Sequence, residues 1–242
     1  MTTVSSTRAS ARPIKIPALL VGLTAVAVVV ALQWIFLKAP VERSMGIVQK
    51  IFYFHVPSAY AMYLGAALCF VGSVGYLARG TLGWDALARA GADVAVLMGL
   101  MVMTSGPLWA AKAWGTYWTW DPRLTTSLLS LLIYVAYTLL RAFTGGGEAE
   151  RRFAAALGVL GAANLPIIHY SVRKWGGLHP KVISTGGGGL GDPDMKTALL
   201  FGFVSFTLLA VTLVWYRARL HALGGRLEAL EQEAVQAGVS GD

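Results

Sequence analysis

The chain is poor in what soluble enzymes use. Only 13% of its 242 residues are charged, against about 25% in an ordinary soluble domain. It has one cysteine, Cys69, which excludes an internal disulfide, a CxxC redox pair and a thiolate metal cluster. Cys69 lies in an apolar run and reads as helix packing. No HExxH, GxSxG or Cys–His pattern occurs, so the sequence offers none of the common hydrolytic machinery, and it is read as a non-enzyme. The glycine-rich stretch STGGGGLGDPD, residues 184–194, is not followed by GKS or GKT. That excludes a P-loop and leaves a flexible connection. The net charge of +8 is scattered over short connections and the two ends. It forms no stripe for a phosphate backbone, so nucleic acid is not an expected partner.

Apolar residues are what the chain has in excess: 56% of the total, with a mean hydropathy of +0.60. Runs of about 20 apolar residues are the signature of membrane-spanning helices. Six are present, at 16–37, 55–78, 88–109, 124–143, 153–170 and 197–215. The expected fold is all-α, a polytopic membrane protein with six transmembrane helices forming a single membrane domain over 1–242. The first run follows Arg8, Arg12 and Lys15 in the manner of a signal peptide. Its length and the unpromising cleavage sequence FLKAPVE favour an anchor instead. The tail LEALEQEA, residues 227–234, reads as a short solvent helix.

Six spans put both termini on one face and the connections after spans one, three and five on the other. That second face collects residues 38–54, 110–123 and 171–196. Lys and Arg divide almost evenly between the faces, so the positive-inside bias is weak. The three basic residues before the first span favour cytoplasmic termini and an outward-facing second face.

The second face holds most of the chemistry. Of eight tryptophans, Trp34, Trp109, Trp114, Trp118, Trp120 and Trp175 all fall there. Interfacial belts favour tryptophan, but WGTYWTWDP crowds three of them into the single connection 110–123. Two readings stand: a floor for a flat apolar ligand, or an unusually rich belt. Asp121 and Pro122 read as the N-cap and first residue of span four, and Gly115 permits a tight turn. His55, in IFYFHVPSAY, and His169, in NLPIIHYSV, stand at the same membrane border. Zinc would want three or four protein ligands. Two neutral imidazoles beside an aromatic cradle suit a haem better. His179 lies in a polar loop and is the weaker candidate for a third ligand; His221, on the other face, reads as solvated. Haem carboxylates would call for basic partners among Lys50, Lys112, Arg123, Arg173 and Lys174, with Arg123 foremost because it adjoins the aromatic segment. Asp93 and Asn164 are polar groups near or within spans, and two readings stand for them: a functional role at membrane depth, or a cap of span three and a bridge between helices.

The segment WGTYWTWDPRLTTSLLSLLIYVAY, Trp114 to Tyr137, resembles the tryptophan-rich WWD segment of the cytochrome c assembly family. GIVQKIFYFHVPSAY, SGPLWAAKAWG and NLPIIHYSVRKWGGLHP extend the likeness from Val41 to Lys181. Size and span count match the family's shorter, haem-handling members. The resemblance implies that the chain binds haem b at the outer face of the cell inner membrane. It would then present it to a periplasmic haem chaperone of the CcmE type during cytochrome c maturation. It also implies a small single-span subunit of the CcmD type and an ATPase membrane complex of the CcmAB type. The family's two essential histidines are carried over onto His55 and His169 as iron ligands. Its tryptophan-rich stretch maps onto Trp114, Gly115, Trp118, Trp120 and Asp121. Arg123 would meet the propionates. The chain departs from the family pattern at Lys174-Trp175, where a tryptophan pair is expected, and in the following Gly176–Pro180. The competing class is a bis-histidine membrane cytochrome b carrying electrons, which would need a second redox centre near the opposite face. A permease gated by the aromatic face is a further rival.

Overall fold

The computed structural model describes residues 17–143, 146–179 and 190–238, except for the side chains of Val172 and Gln232. Among the described residues there is no β-strand, and six helices are long and apolar enough to cross a membrane. They are α1 (Ala18–Gln33), α2 (Phe52–Arg79), α3 (Leu82–Trp114), α4 (Pro122–Phe143), α5 (Glu148–Trp175) and α6 (Pro193–Gln236). A π-helical turn, Trp34–Lys38, extends α1, and a 3-10 turn, Ile47–Ile51, leads into α2. Each helix overlaps one apolar run and most overrun it. The largest excess is in α6, whose 44 residues absorb the tail expected as a separate helix.

Local chemistry sets the ends. Asp192 caps α6 by accepting the Asp194 N–H at 2.7 Å, with Pro193 at the first helical position. Asp121 does the same for α4, accepting the Arg123 N–H at 2.8 Å. Gly115, at φ 72°, ends α3 in the left-handed region that side chains resist.

Helices α2, α3, α4 and α5 form a ring, each packed on the next, with α6 laid across α2 and α3 and α1 outermost against α6. Hydrophobicity does not drive helices together inside lipid; close packing and interhelical hydrogen bonds do. The α2–α3 seam shows the first. A Cβ on Gly65 or Gly91 would strike the backbone of the other helix at Ala95 or Cys69. Cys69 is fully buried in that seam. The second appears as Asn164 of α5 donating to Thr126 O (2.8 Å) and Ser130 Oγ (3.2 Å) of α4. On α1, Thr24 and Thr212 of α6 share a hydrogen bond of 2.9 Å.

One end of the ring is tied by ion pairs. Arg141 of α4, nearly inaccessible, meets Asp85 of α3 at 2.9 Å and Glu150 of α5 at 2.6 Å. Arg151 reaches Glu228 on the α6 tail at 3.0 Å. Asp93 is not a cap: it lies a third of the way along α3 and accepts from Arg217 (2.7 Å) and His221 (2.6 Å) of α6. His221 is therefore engaged rather than solvated, because α6 continues as one helix and holds it against α3.

Candidate functional site

The other end of the ring opens into a cavity of about 780 Å³, within the usual range for ligand and cofactor sites. Two of its walls are the N-terminal part of α2 (Phe52 to Tyr63) and the C-terminal part of α3 (Val102 to Trp114). The same two helices touch backbone to backbone farther along. Proline stands near this end in α2 (Pro57), α3 (Pro107) and α5 (Pro166), and each removes a helical N–H donor.

The cavity brings together His55 of α2, Trp114 of α3, Trp118 of the α3–α4 connection, Arg123 of α4 and His169 of α5. The expected gathering of the connections after spans one, three and five on one face is thereby met. Trp114 ends α3 and packs edge-on against Trp109, centroids 6.0 Å apart. Past the Gly115 turn the chain is not helical, and Trp118 reaches the cavity from the irregular connection into α4. Trp118 stands edge-on to Trp120 at 5.7 Å. Trp120 itself is 76% exposed. It lines a neighbouring surface hollow with Asp121, Trp175 and Leu178.

The two expected histidine ligands differ in setting. His55 is partly buried, and its Nδ1 lies 2.9 Å from Ser105 Oγ of α3. His169 is exposed, stacked edge-on to Tyr170 at 5.0 Å, and its backbone carbonyl accepts from Arg123 at 3.3 Å.

His179, ranked below both on sequence, enters the cavity wall and packs against Trp114 at 6.3 Å. Its Nδ1 is buried with no partner among the described residues. Burial, then the nearby Arg123 and His55, push its pKa down to about 4, so it is a neutral imidazole at pH 7. Asp121 explains the placement. Its carboxylate is 6% exposed and accepts two N–H groups, Arg123 through Oδ1 and Leu178 through Oδ2 at 2.7 Å. One side chain thus starts α4 and pins the loop that carries His179. Gly177 lets that loop come close: its φ of 149° is unfavourable to side chains, and a Cβ there would collide with the Asp121 carboxylate. The divergent glycines of this loop are what permit the contact.

Among the basic candidates, Arg123 and Arg173 line the cavity, and Arg123 Nε is buried without a partner among the described residues. Lys50 is spent elsewhere, donating to Ile35 O (2.6 Å) and Ala39 O (3.2 Å) at the end of the first span. The indole N–H groups of Trp109 and Trp118 are also buried and unpaired. The cavity thus offers apolar and aromatic walls, three unpaired N–H donors and imidazoles. These features fit a flat apolar ligand bearing carboxylates and a metal centre. Among the described residues, no group of three or more His, Cys, Asp or Glu gathers closely enough to hold a metal ion alone.

The family model for CcmC, heme exporter protein C, matches residues 3–233. Heme exporter protein C of Bradyrhizobium diazoefficiens is 34% identical over 199 residues, 80% of this chain and 74% of that protein. Its namesake in Escherichia coli K12 is 35% identical over 198 residues, 79% and 78% of the two chains. A putative cytochrome c biosynthesis ccmC-like mitochondrial protein of Marchantia polymorpha is 30% identical over 188 residues, 77% and 78%.

Proposed function

The chain belongs to the heme exporter protein C family, and from that premise we propose that it holds haem b at the periplasmic end of its helical ring and presents it to a haem chaperone of the CcmE type. Its coarse role is haem handling in cytochrome c biogenesis, as a multi-pass membrane protein and an assembly component rather than a known catalyst. Periplasmic placement of the cavity and cytoplasmic termini rest on Arg8, Arg12 and Lys15 before the first span. In this reading the ion-paired end of the ring faces the cytoplasm. Partners of the CcmD and CcmAB types complete the expected membrane complex.

The observation that carries the reading is the meeting of His55 and His179 in one aromatic cavity beside Arg123. His55 would hold the iron through one imidazole nitrogen. His179 is the better-placed second, because its imidazole is neutral and its buried Nδ1 has no partner among the described residues; His169 stands exposed at the rim and serves Arg123 through its backbone. Trp114 and Trp118 would pack on the porphyrin, and Arg123 with Arg173 would pair with propionates. Bound haem supplies the iron and the vinyl edge; the protein supplies orientation and exclusion of water. The exposed Trp120 and Trp175 beside the mouth make the natural contact for the chaperone. The cytochrome b alternative finds no second centre: the remaining histidine, His221, lies at the opposite end in the grip of Asp93.

The test is protein purified from haem-replete cells, assayed by absorption spectrum and pyridine haemochrome. His55→Ala and His179→Ala should each turn low-spin haem high-spin, and added imidazole should restore the low-spin spectrum in both. A fully loaded His179→Ala protein with an unchanged spectrum would return the second ligand to His169. Absence of b-type haem from the wild-type protein would reject the reading as a whole.

A further inference from the structure

We infer that Ser105 is a positioning residue that fixes which nitrogen of His55 faces the iron. The inference rests on the haem-binding role proposed above for His55. Ser105 Oγ lies 2.5 Å from Met101 O, one helical turn back in α3, and 2.9 Å from His55 Nδ1 in α2. A carbonyl oxygen can only accept, and a serine hydroxyl has one proton to give. That proton goes to Met101. Toward His55 the hydroxyl presents lone pairs alone, so the contact is a hydrogen bond only when Nδ1 carries the ring proton and donates it. A neutral imidazole protonated at Nδ1 has its lone pair on Nε2.

The steric setting agrees with this. Gly106, next along α3, lies against the same ring: a Cβ there would stand 3.2 Å from His55 Cε1 and 3.7 Å from Nδ1. The α3 backbone therefore presses on the Nδ1 side of the imidazole while Ser105 bonds it. Ser105 is the ring's one hydrogen-bond partner among the described residues. The outcome is an imidazole clamped to α3 at one edge, with its other nitrogen left for a ligand in the cavity that His55 lines. An acceptor behind a metal-bound imidazole also makes the ring more basic and steadies its orientation. Ser105 does all this without touching the ligand site: it is absent from the cavity wall.

The experiment compares full-length wild type, Ser105→Ala, Ser105→Thr and His55→Ala, each titrated with ferric haem b in detergent and then poised electrochemically. Loss of such an outer partner typically costs about 10- to 100-fold in metal affinity. Ser105→Ala should weaken haem binding by that order and raise the midpoint potential, since a less basic imidazole stabilises the ferric state less. Ser105→Thr keeps a hydroxyl with the same back-bond to Met101 and should restore both values. Alanine and threonine variants that behave alike would overturn the inference, because the hydroxyl would then have no part. So would an alanine variant indistinguishable from wild type while His55→Ala loses its low-spin spectrum; the haem role of His55 would survive and that of Ser105 would not. A His55→Ala protein with wild-type affinity and spectrum would instead remove the reading beneath both.

Discussion

Replacing Asp121 by asparagine should act on His179, although the two side chains lie 58 positions apart. The carboxylate accepts from the Arg123 N–H at 2.8 Å and the Leu178 N–H at 2.7 Å, one through each oxygen. Asparagine keeps one acceptor oxygen and turns the other into an NH₂ donor, so one of the two backbone donors must face a donor. The α4 cap alone is worth about 1 kcal/mol. A hydrogen bond to a charged group contributes about 1.5–3 kcal/mol. The cap is local and easily kept, so the loss falls on Leu178. At about 1.4 kcal/mol per factor of ten, the equilibrium holding residues 176–179 at the cavity would shift by roughly 10- to 150-fold. Haem titration of wild type, Asp121→Asn, His179→Ala and the double variant gives the assay. If Asp121 works through His179, the double variant should bind haem no more weakly than His179→Ala alone, a non-additivity expected of residues acting as one unit. Losses that simply add would refute the reasoning and give Asp121 a separate role.

Three other expectations concern different parts of the molecule. Trp118→Ala, at the cavity wall, should lower haem affinity, whereas Trp120→Ala, 76% exposed, should leave affinity intact and slow haem transfer to the chaperone; equal effects in both assays would dissolve that division. Cysteine placed at Thr116 should react with an impermeant thiol reagent from the periplasm, and cysteine at Gly147 only after the cytoplasmic side is opened; the reverse pattern would invert the orientation. Arg141→Ala leaves Asp85 and Glu150 buried without their shared cation, and stranding a buried charge costs about 3–5 kcal/mol. A marked fall in thermal stability in detergent is expected, and a shift of less than a degree would show the network to be dispensable.

Hydropathy alone carried the six helices, because a lipid-facing helix must be apolar along its length. It said nothing of the polar extensions: residues 216–236 of α6 have no apolar run, yet they continue the helix and place His221 and Glu228 against the ring. The gathering of His55, Trp114, Trp118, Arg123 and His169 at one end was legible from span parity. The prominence of His179 was not. It depends on a tertiary bond from Asp121 to Leu178 and on the close approach at Gly177. The two glycines before Leu178 were the available signal, since they allow a backbone to pass close to a side chain. Lys50 misled in the other direction: nothing local in the sequence tells that its ammonium closes the end of the first span.

The α2–α3 pair separates two design tasks along its length. At Gly65 and Gly91 a single added carbon meets opposing backbone, so the inner half tolerates no growth. Toward the other end Val56, Ala59, Val102 and Met103 of the same helices border open space. Enlarging or trimming those four would reshape the chamber without disturbing the contact that holds the helices together. Guest size and scaffold integrity are thus written in different residues. A lineage, or an engineer, can retune the chamber for a guest of another size while leaving the architecture as it is.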